Sequence, residues 1–242
     1  DTDGMALYDE GEEKAWMELF RVFAGEKEEV TPNRIGILGM TPQDISDLRA
    51  ADRLRERFAA EGKTAVCYGM GNGLEDVKIA SGVEKNIVVA PSALEVAKYL
   101  QRTYGTPYET GYPLVDELVR DMDYHGKKVL VVQQQVIGNA IREEILKKAP
   151  DAQVTVASWF MMKPELRRDE DLHLRDEEDY IKLVETGAYD VIYADPCMAR
   201  MTPKFEGVFV DTVHFAVSGK LVTVEAAKEA KGPSYESGGR SV

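Results

Sequence analysis

The sequence predicts an α/β protein built from two consecutive doubly wound, Rossmann-like parallel-sheet domains. Three observations carry that expectation. Short β-branched runs alternate with amphipathic helical stretches, the connections between them are short, and the alternation restarts near the middle of the chain.

Residues 8–24 read as an amphipathic helix with Ala15, Leu19, Val22 and Phe23 on one face and Trp16 and Phe20 beside it. Asp9, Glu10, Glu12 and Glu13 suit the positive end of its dipole. Residues 1–30 are therefore assigned to this helix and a charged connector. The first α/β domain, 31–120, opens with the strand Arg34–Gly39. A helix follows from Thr41 as N-cap and Pro42 at the first helical position, with Ile45, Leu48, Ala51, Leu54 and Phe58 as its buried stripe, ending at Gly62. Strands at Thr64–Tyr68 and Asn86–Val89 come next. A helix over 92–104, opened by a Ser92/Glu95 capping box and closed by Gly105, precedes a short strand at Pro107–Thr110.

The second domain, 121–222, repeats the pattern: strand Lys127–Gln133, helix Ile137–Lys148, strand Gln153–Ser158, a solvated charge-dense loop over 163–179, a helix from Glu178 to Thr186, and strands Asp190–Ala194 and Val208–Val210. The boundary is placed at 112–126, on a helix crossing between domains. Residues 223–242 read as a polar tail.

Composition narrows the function. Acids outnumber bases 43 to 30, for a net charge of -13. A nucleic-acid binder draws most of its affinity from Lys and Arg on phosphates, so nucleic acid is not expected as a partner. No run approaches the ~20 apolar residues of a membrane helix, and no signal segment opens the chain. The absence of a starting Met predicts that the natural protein extends further upstream. Two cysteines, Cys67 and Cys197, make no disulfide framework and point to a reducing, cytoplasmic compartment. They are also too few for the four thiolates of an ordinary iron–sulfur cluster.

Several blocks together carry a family resemblance: Arg34-Ile35-Gly36-Ile37-Leu38-Gly39, Gly71-Asn72-Gly73-Leu74-Glu75-Asp76, Asn86-Ile87-Val88-Val89 followed by Leu94–Leu100 and Tyr104–Tyr108, then Gly126–Val129 and Tyr189–Ile192. In this order they resemble nitrogenase component 1 subunits and their relatives, which include cofactor-assembly scaffolds and the light-independent reductases of chlorophyll synthesis. The resemblance implies that a further domain, carrying cluster cysteines, precedes these two. It implies an iron–sulfur cluster or a metal or tetrapyrrole cofactor in the full complex, with none expected on this fragment alone. It implies as partners a related subunit or a second copy, and an ATP-driven iron–sulfur reductase. In the family the cofactor hangs from a Cys just after the third strand; here Ala90 stands at that position. A His shortly before a late Ser-Gly is a second ligand in the family, and His214 before Ser218-Gly219 occupies a similar place, making it the candidate metal ligand.

Doubly wound sheets bind ligands beyond the carboxyl ends of their strands. That rule selects Gly71, Asn72, Ser92, Gln134, Gln135, Asn139, Asp195, Cys197 and His214 as candidate cofactor-binding residues; no catalytic residue is assigned. Each has a plainer reading. The Gly69–Gly73 loop is an anion cradle or an ordinary turn. Gln134, Gln135 and Asn139 contact a polar ligand or cap a helix. Cys197 is a dipole-activated thiol or an inert one. His125 and His173 read as surface residues, and His214 as a ligand or a hydrogen-bonded structural residue. Three functions follow. The first is a reductase subunit taking electrons from the iron–sulfur partner to a substrate or cofactor in the interdomain cleft; the second is a non-catalytic assembly scaffold; the third is a metal or tetrapyrrole receptor.

Overall fold

Strand β1 (Thr31–Met40) is the hub of the first sheet, because both its neighbours pair with it in parallel. The computed structural model describes residues 7–222. Its first sheet runs β2 (Thr64–Gly69), β1, β3 (Val83–Val88), β4 (Tyr108–Thr110). The second runs β7 (Leu172–His173), β6 (Gln153–Ser158), β5 (Lys128–Val132), β8 (Val191–Ala194), β9 (Val208–Asp211), again with every pairing parallel. The two parallel sheets and their interleaved helices are the α/β fold expected.

Alternation along the strands sorts the cores. Leu38, Val66 and Tyr68 face α1 (Tyr8–Phe23) and α5 (Leu94–Tyr104). On the other face Ile35, Ile37, Cys67 and Ile87 pack against α3 (Ala50–Ala60). That core is continuous with Val129, Val131 and Tyr193 of the second sheet and with α6 (Gln135–Lys148). Leu130, Val132 and Ile192 point away, onto α7 (Glu177–Gly187). The period of 2 in each strand thus makes one core shared between the sheets and one on each outer side.

Several local expectations change. In α1 the buried side chains are Asp9, Trp16 and Phe20, whereas Val22 is 65% exposed, Phe23 40%, and Ala15 is exposed too. The helix is rotated because Trp16 and Phe20 bury more surface against Tyr68 than the smaller face could. The helix expected from Thr41 to Gly62 breaks in two. A short α2 (Pro42–Ile45) stops at Ser46, which adopts a left-handed conformation (φ 61°). Hydrogen bonds from Phe215 N to Ser46 Oγ and from Val222 N to Ser46 O, both 2.8 Å, offset the cost of that conformation. Leu48 lands outside as a result. The capping box at Ser92 does not form: a 3-10 turn over Pro91–Ala93 precedes α5, and Ser92 turns its hydroxyl elsewhere.

A short α4 (Leu74–Lys78) follows the Gly-rich loop, and the segment 112–126 carries a single 3-10 turn, Val115–Glu117, in place of a crossing helix. Tyr112, Leu114, Val119 and Tyr124 of that segment are buried in the shared core, so apolar anchoring replaces helical periodicity. The stretch 163–179 is only partly solvated. Asp171 is fully buried and accepts from the Arg142 guanidinium (2.5 and 3.1 Å), Val156 N and Arg168 N. Of the polar tail, 223–242 lies outside the described residues.

The Arg142–Asp171 pair fixes the loop after β6 against α6, with both side chains 1% or less exposed. Replacing Arg142 with Met leaves a buried carboxylate without its counter-ion, which costs about 3–5 kcal/mol. Urea denaturation is expected to show a loss of that size; a loss below ~1 kcal/mol would mean that water reaches Asp171 in the native state.

Candidate functional site

The carboxyl ends of the two sheets meet. Where β5 ends, Gln134 enters α6 as its N-cap: its side-chain oxygen accepts from Val136 N (2.7 Å) and Ile137 N (3.3 Å). Its amide nitrogen donates across to Val89 O at the end of β3 (2.7 Å). Where β9 ends, Phe215 N donates to Ser46, just beyond β1. Four strand ends from two sheets are therefore joined by direct hydrogen bonds.

Around that junction lies a cluster of polar side chains. Asp195, after β8, accepts from Cys197 N (2.9 Å), His214 N (2.9 Å) and Ser218 Oγ (2.7 Å). Burial pushes its carboxyl up, but these donors outweigh burial and hold it below the usual value. Asp195 thereby fixes the backbone of the His214 turn. The His214 ring is 1% exposed, stacks on Phe160 at 4.3 Å, and has no hydrogen-bond partner on either nitrogen. Burial depresses its pKa to about 4, with Asp195 opposing, so the imidazole is neutral at pH 7.

Asp44, in α2, is the opposite kind of carboxyl. It is buried beside Glu12, and it receives Tyr8 Oη (2.7 Å) and, more loosely, Thr41 Oγ1 (3.5 Å) and Ser92 Oγ (3.4 Å). Burial first, and then the Glu12 charge, raise its pKa well above the carboxylate range. Asp9 is raised as well, chiefly by burial, although Met161 N donates to it (2.5 Å). Tyr8 also meets Phe160 edge-on, and Lys163 pairs with Glu13.

Of the residues singled out in the sequence, the fold brings Ser92, Gln134, Gln135, Asp195, Cys197 and His214 to this junction. Gln135 grips the backbone of Lys163 with both ends of its amide (2.7 and 3.0 Å). The Cys197 thiol is pushed up to about 11 by burial and the neighbouring Asp195, so it is not an activated nucleophile. Asn139 lies one turn further along α6, donating to Leu166 O and accepting from Arg142. Gly71 and Asn72 sit apart. Asn72 accepts from Cys67 N on β2 and from Arg55, and donates to Asp76, while Arg55 also binds Gly71 O. Their loop closes a sheet edge. Sequence reasoning missed Tyr8, Asp44, Ser46, Phe160 and Lys163. Phe160 and Asp44 could have been found by extending the strand-end rule to β6 and one helical turn past β1; Tyr8 carried no such signal.

The chain is thus a two-sheet parallel α/β protein whose strand ends face one another. The family described as "Nitrogenase component 1 type Oxidoreductase" matches residues 7–163, and the chain belongs to that family. Among solved structures it is similar to "Nitrogenase Cp1 at pH 6.5", with a TM-score of 0.57 and 14% identity over 85% of this chain. The chain spans 58% of the length of that one. No curated protein matches. Among the described residues no helix is long and apolar enough to cross a membrane.

The family implies a metal cluster, and the donors present do not fit one. Cys67 is sealed in β2 with its sulfur toward Ala51 O (3.8 Å), and Cys197 belongs to the other sheet. Ala90 is fully buried, and Gly39 is packed so closely that a side chain there would meet the Ala90 methyl at 2.9 Å. No group of three or more His, Cys, Asp or Glu side chains is arranged for a metal among the described residues. His214 is a single donor.

The neutral state of His214 has a measurable consequence. Its folded pKa lies below the unfolded value of about 6.5, so the stabilisation is complete above pH 6.5 and lost as pH falls toward 4. The full effect is about 3 kcal/mol. Asp44 acts in the reverse sense: its raised pKa makes its contribution fade as pH rises. Chemical denaturation between pH 7 and 4 is expected to show a fall in stability that His214→Phe largely removes. An unchanged pH profile in that variant would show that His214 is hydrated.

Proposed function

We propose that this chain is the ligand-positioning part of a nitrogenase component 1-type oxidoreductase. In this reading it works with a related subunit and accepts electrons from an ATP-driven iron–sulfur partner, which reduce a substrate or cofactor held between the two sheets. The observation that carries the reading is the junction itself: the loops after β1, β6, β8 and β9 meet at the turn of one buried neutral imidazole, and those after β3 and β5 are tied to each other by Gln134. A neutral ring nitrogen without a partner can bind a metal or accept a hydrogen bond, and Asp195 keeps the turn that carries it in place. Thiolates for cluster chemistry must then come from outside these residues, so no redox step is assigned to this chain's own side chains. The same shortage of donors favours, as a second reading, a non-catalytic scaffold that holds a cofactor during assembly.

Two measurements separate the readings. Mixed with a related subunit and an ATP-dependent iron–sulfur reductase under anaerobic conditions, a reductase subunit shows nucleotide-dependent association and electron transfer; a scaffold shows neither. In either reading His214→Ala weakens binding of a tetrapyrrole, for which one imidazole suffices, by ~10–100-fold, whereas His125→Ala, at an exposed turn, leaves it unchanged. Equal losses from both variants would remove the junction from consideration as the site.

A further inference from the structure

Helix α1 is held in two different ways along its length. Its second half is anchored by Trp16 and Phe20 in the core beneath Tyr68. Its first two turns lie at the junction instead, against Asp44 on one side and residues 160–163 on the other. Those turns are attached by a few polar links: Tyr8 Oη to Asp44, Asp9 to Met161 N, Glu13 to Lys163, and the edge contact of Tyr8 with Phe160. Leu7, the extended residue just before the helix, supplies no side-chain cap.

Docking this segment also leaves polar atoms stranded. Asp9 Oδ1 and Glu12 Oε2 of the segment are buried without partners, and Phe160, which Tyr8 meets edge-on, stacks on the His214 ring. Asp9, Glu12 and Asp44 crowd together, and the crowding drives Asp44 toward its neutral form, so closing the segment carries the cost of protonating a carboxyl. Each stranded atom loses hydration that it would regain if the segment lifted. In the first two turns these stranded oxygens offset part of the polar links, whereas in the second half the stranded Trp16 Nε1 is set against the apolar burial of Trp16 and Phe20. Segments with few apolar anchors and several unsatisfied polar groups open at free energies well below that of global unfolding.

We propose that the first two turns of α1, residues 8–13, are a strap that closes over the junction and must lift, with Phe160, before His214 can meet a ligand. The strap belongs to the same site as the function proposed above and gives that reading its access route. Its test uses no cofactor, so it succeeds or fails separately from that reading.

The probe is diethyl pyrocarbonate, which acylates accessible neutral imidazoles, read by mass spectrometry at pH 7. The chain contains 3 histidines; His125 and His173 are exposed and serve as internal references. In the wild-type chain His214 is expected to react far more slowly than either. Tyr8→Phe with Glu13→Gln removes one hydrogen bond and one ion pair of the strap and is expected to raise the His214 rate about tenfold, leaving His125 and His173 unchanged. Amide exchange at Met161 should accelerate in step, because that N–H donates to Asp9. Glu13→Gln alone, at a partly exposed position, is expected to give about threefold and keeps the test open if the double variant fails to fold. Val184→Ala, in the remote core under α7, controls for global opening. A His214 rate that stays within twofold of wild type in the strap variants overturns the proposal. So does an equal rise in Val184→Ala, because access would then come through unfolding of the whole chain.

Discussion

The Gln134 side chain is the constraint on which the arrangement depends. One amide caps α6 with its oxygen and reaches Val89 O in the other sheet with its nitrogen. It is fully buried, so neither water nor a charged substitute can stand in for it without cost. A shorter amide could cap the helix but would not reach Val89. A carboxylate could cap it but would set its charge against a carbonyl. Because the link joins the ends of β5 and β3, it sets how closely the two sheets approach. That spacing decides whether the loops beyond them form an open cleft or a closed seam.

Given this spacing, the buried carboxyls of the seam divide by their donors. Asp195 has three, two of them backbone N–H groups, and stays ionised despite its burial. Asp44 has Tyr8 and two long hydroxyl contacts, with Glu12 beside it, and is driven toward its neutral form. His214 shares the seam with both and is kept neutral by burial. Two like side chains are pushed in opposite directions by their different donors and neighbours. The backbone of the His214 turn is thus set by an ionised carboxylate while the ring itself carries no charge.

Much of this was legible in the sequence. The strand and helix runs give the parallel α/β architecture, and the strand-end rule reaches Gln134, Gln135, Asp195 and His214 because it depends only on where strands stop. What the rule cannot supply is which loops curl back on their own sheet. Gly71 and Asn72 follow β2, an edge strand, and Asn72 spends its amide on Cys67 N and Asp76 at that edge. A glycine-rich loop after a central strand would have had no free edge to close. Leu48 was misread for a related reason: the left-handed turn at Ser46 depends on bonds from Phe215 and Val222, some 170 residues away, and no local periodicity encodes them.

The rotation of α1 shows how a long-range preference can overrule a local one and carry function with it. A helix with Val22 and Phe23 inward would present Asp9 and Glu13 to solvent, where acidic residues at a helix start are ordinarily found. Burying Trp16 and Phe20 instead turns the same acids toward Met161 and Lys163. Aromatic packing in the second half of the helix thus forces charge into the seam in the first half. The stabilisation sits where the side chains are apolar, and the strain sits where they are not. A helix so divided can release one end without losing the other, because the core contacts of Trp16 and Phe20 do not depend on where Tyr8 lies.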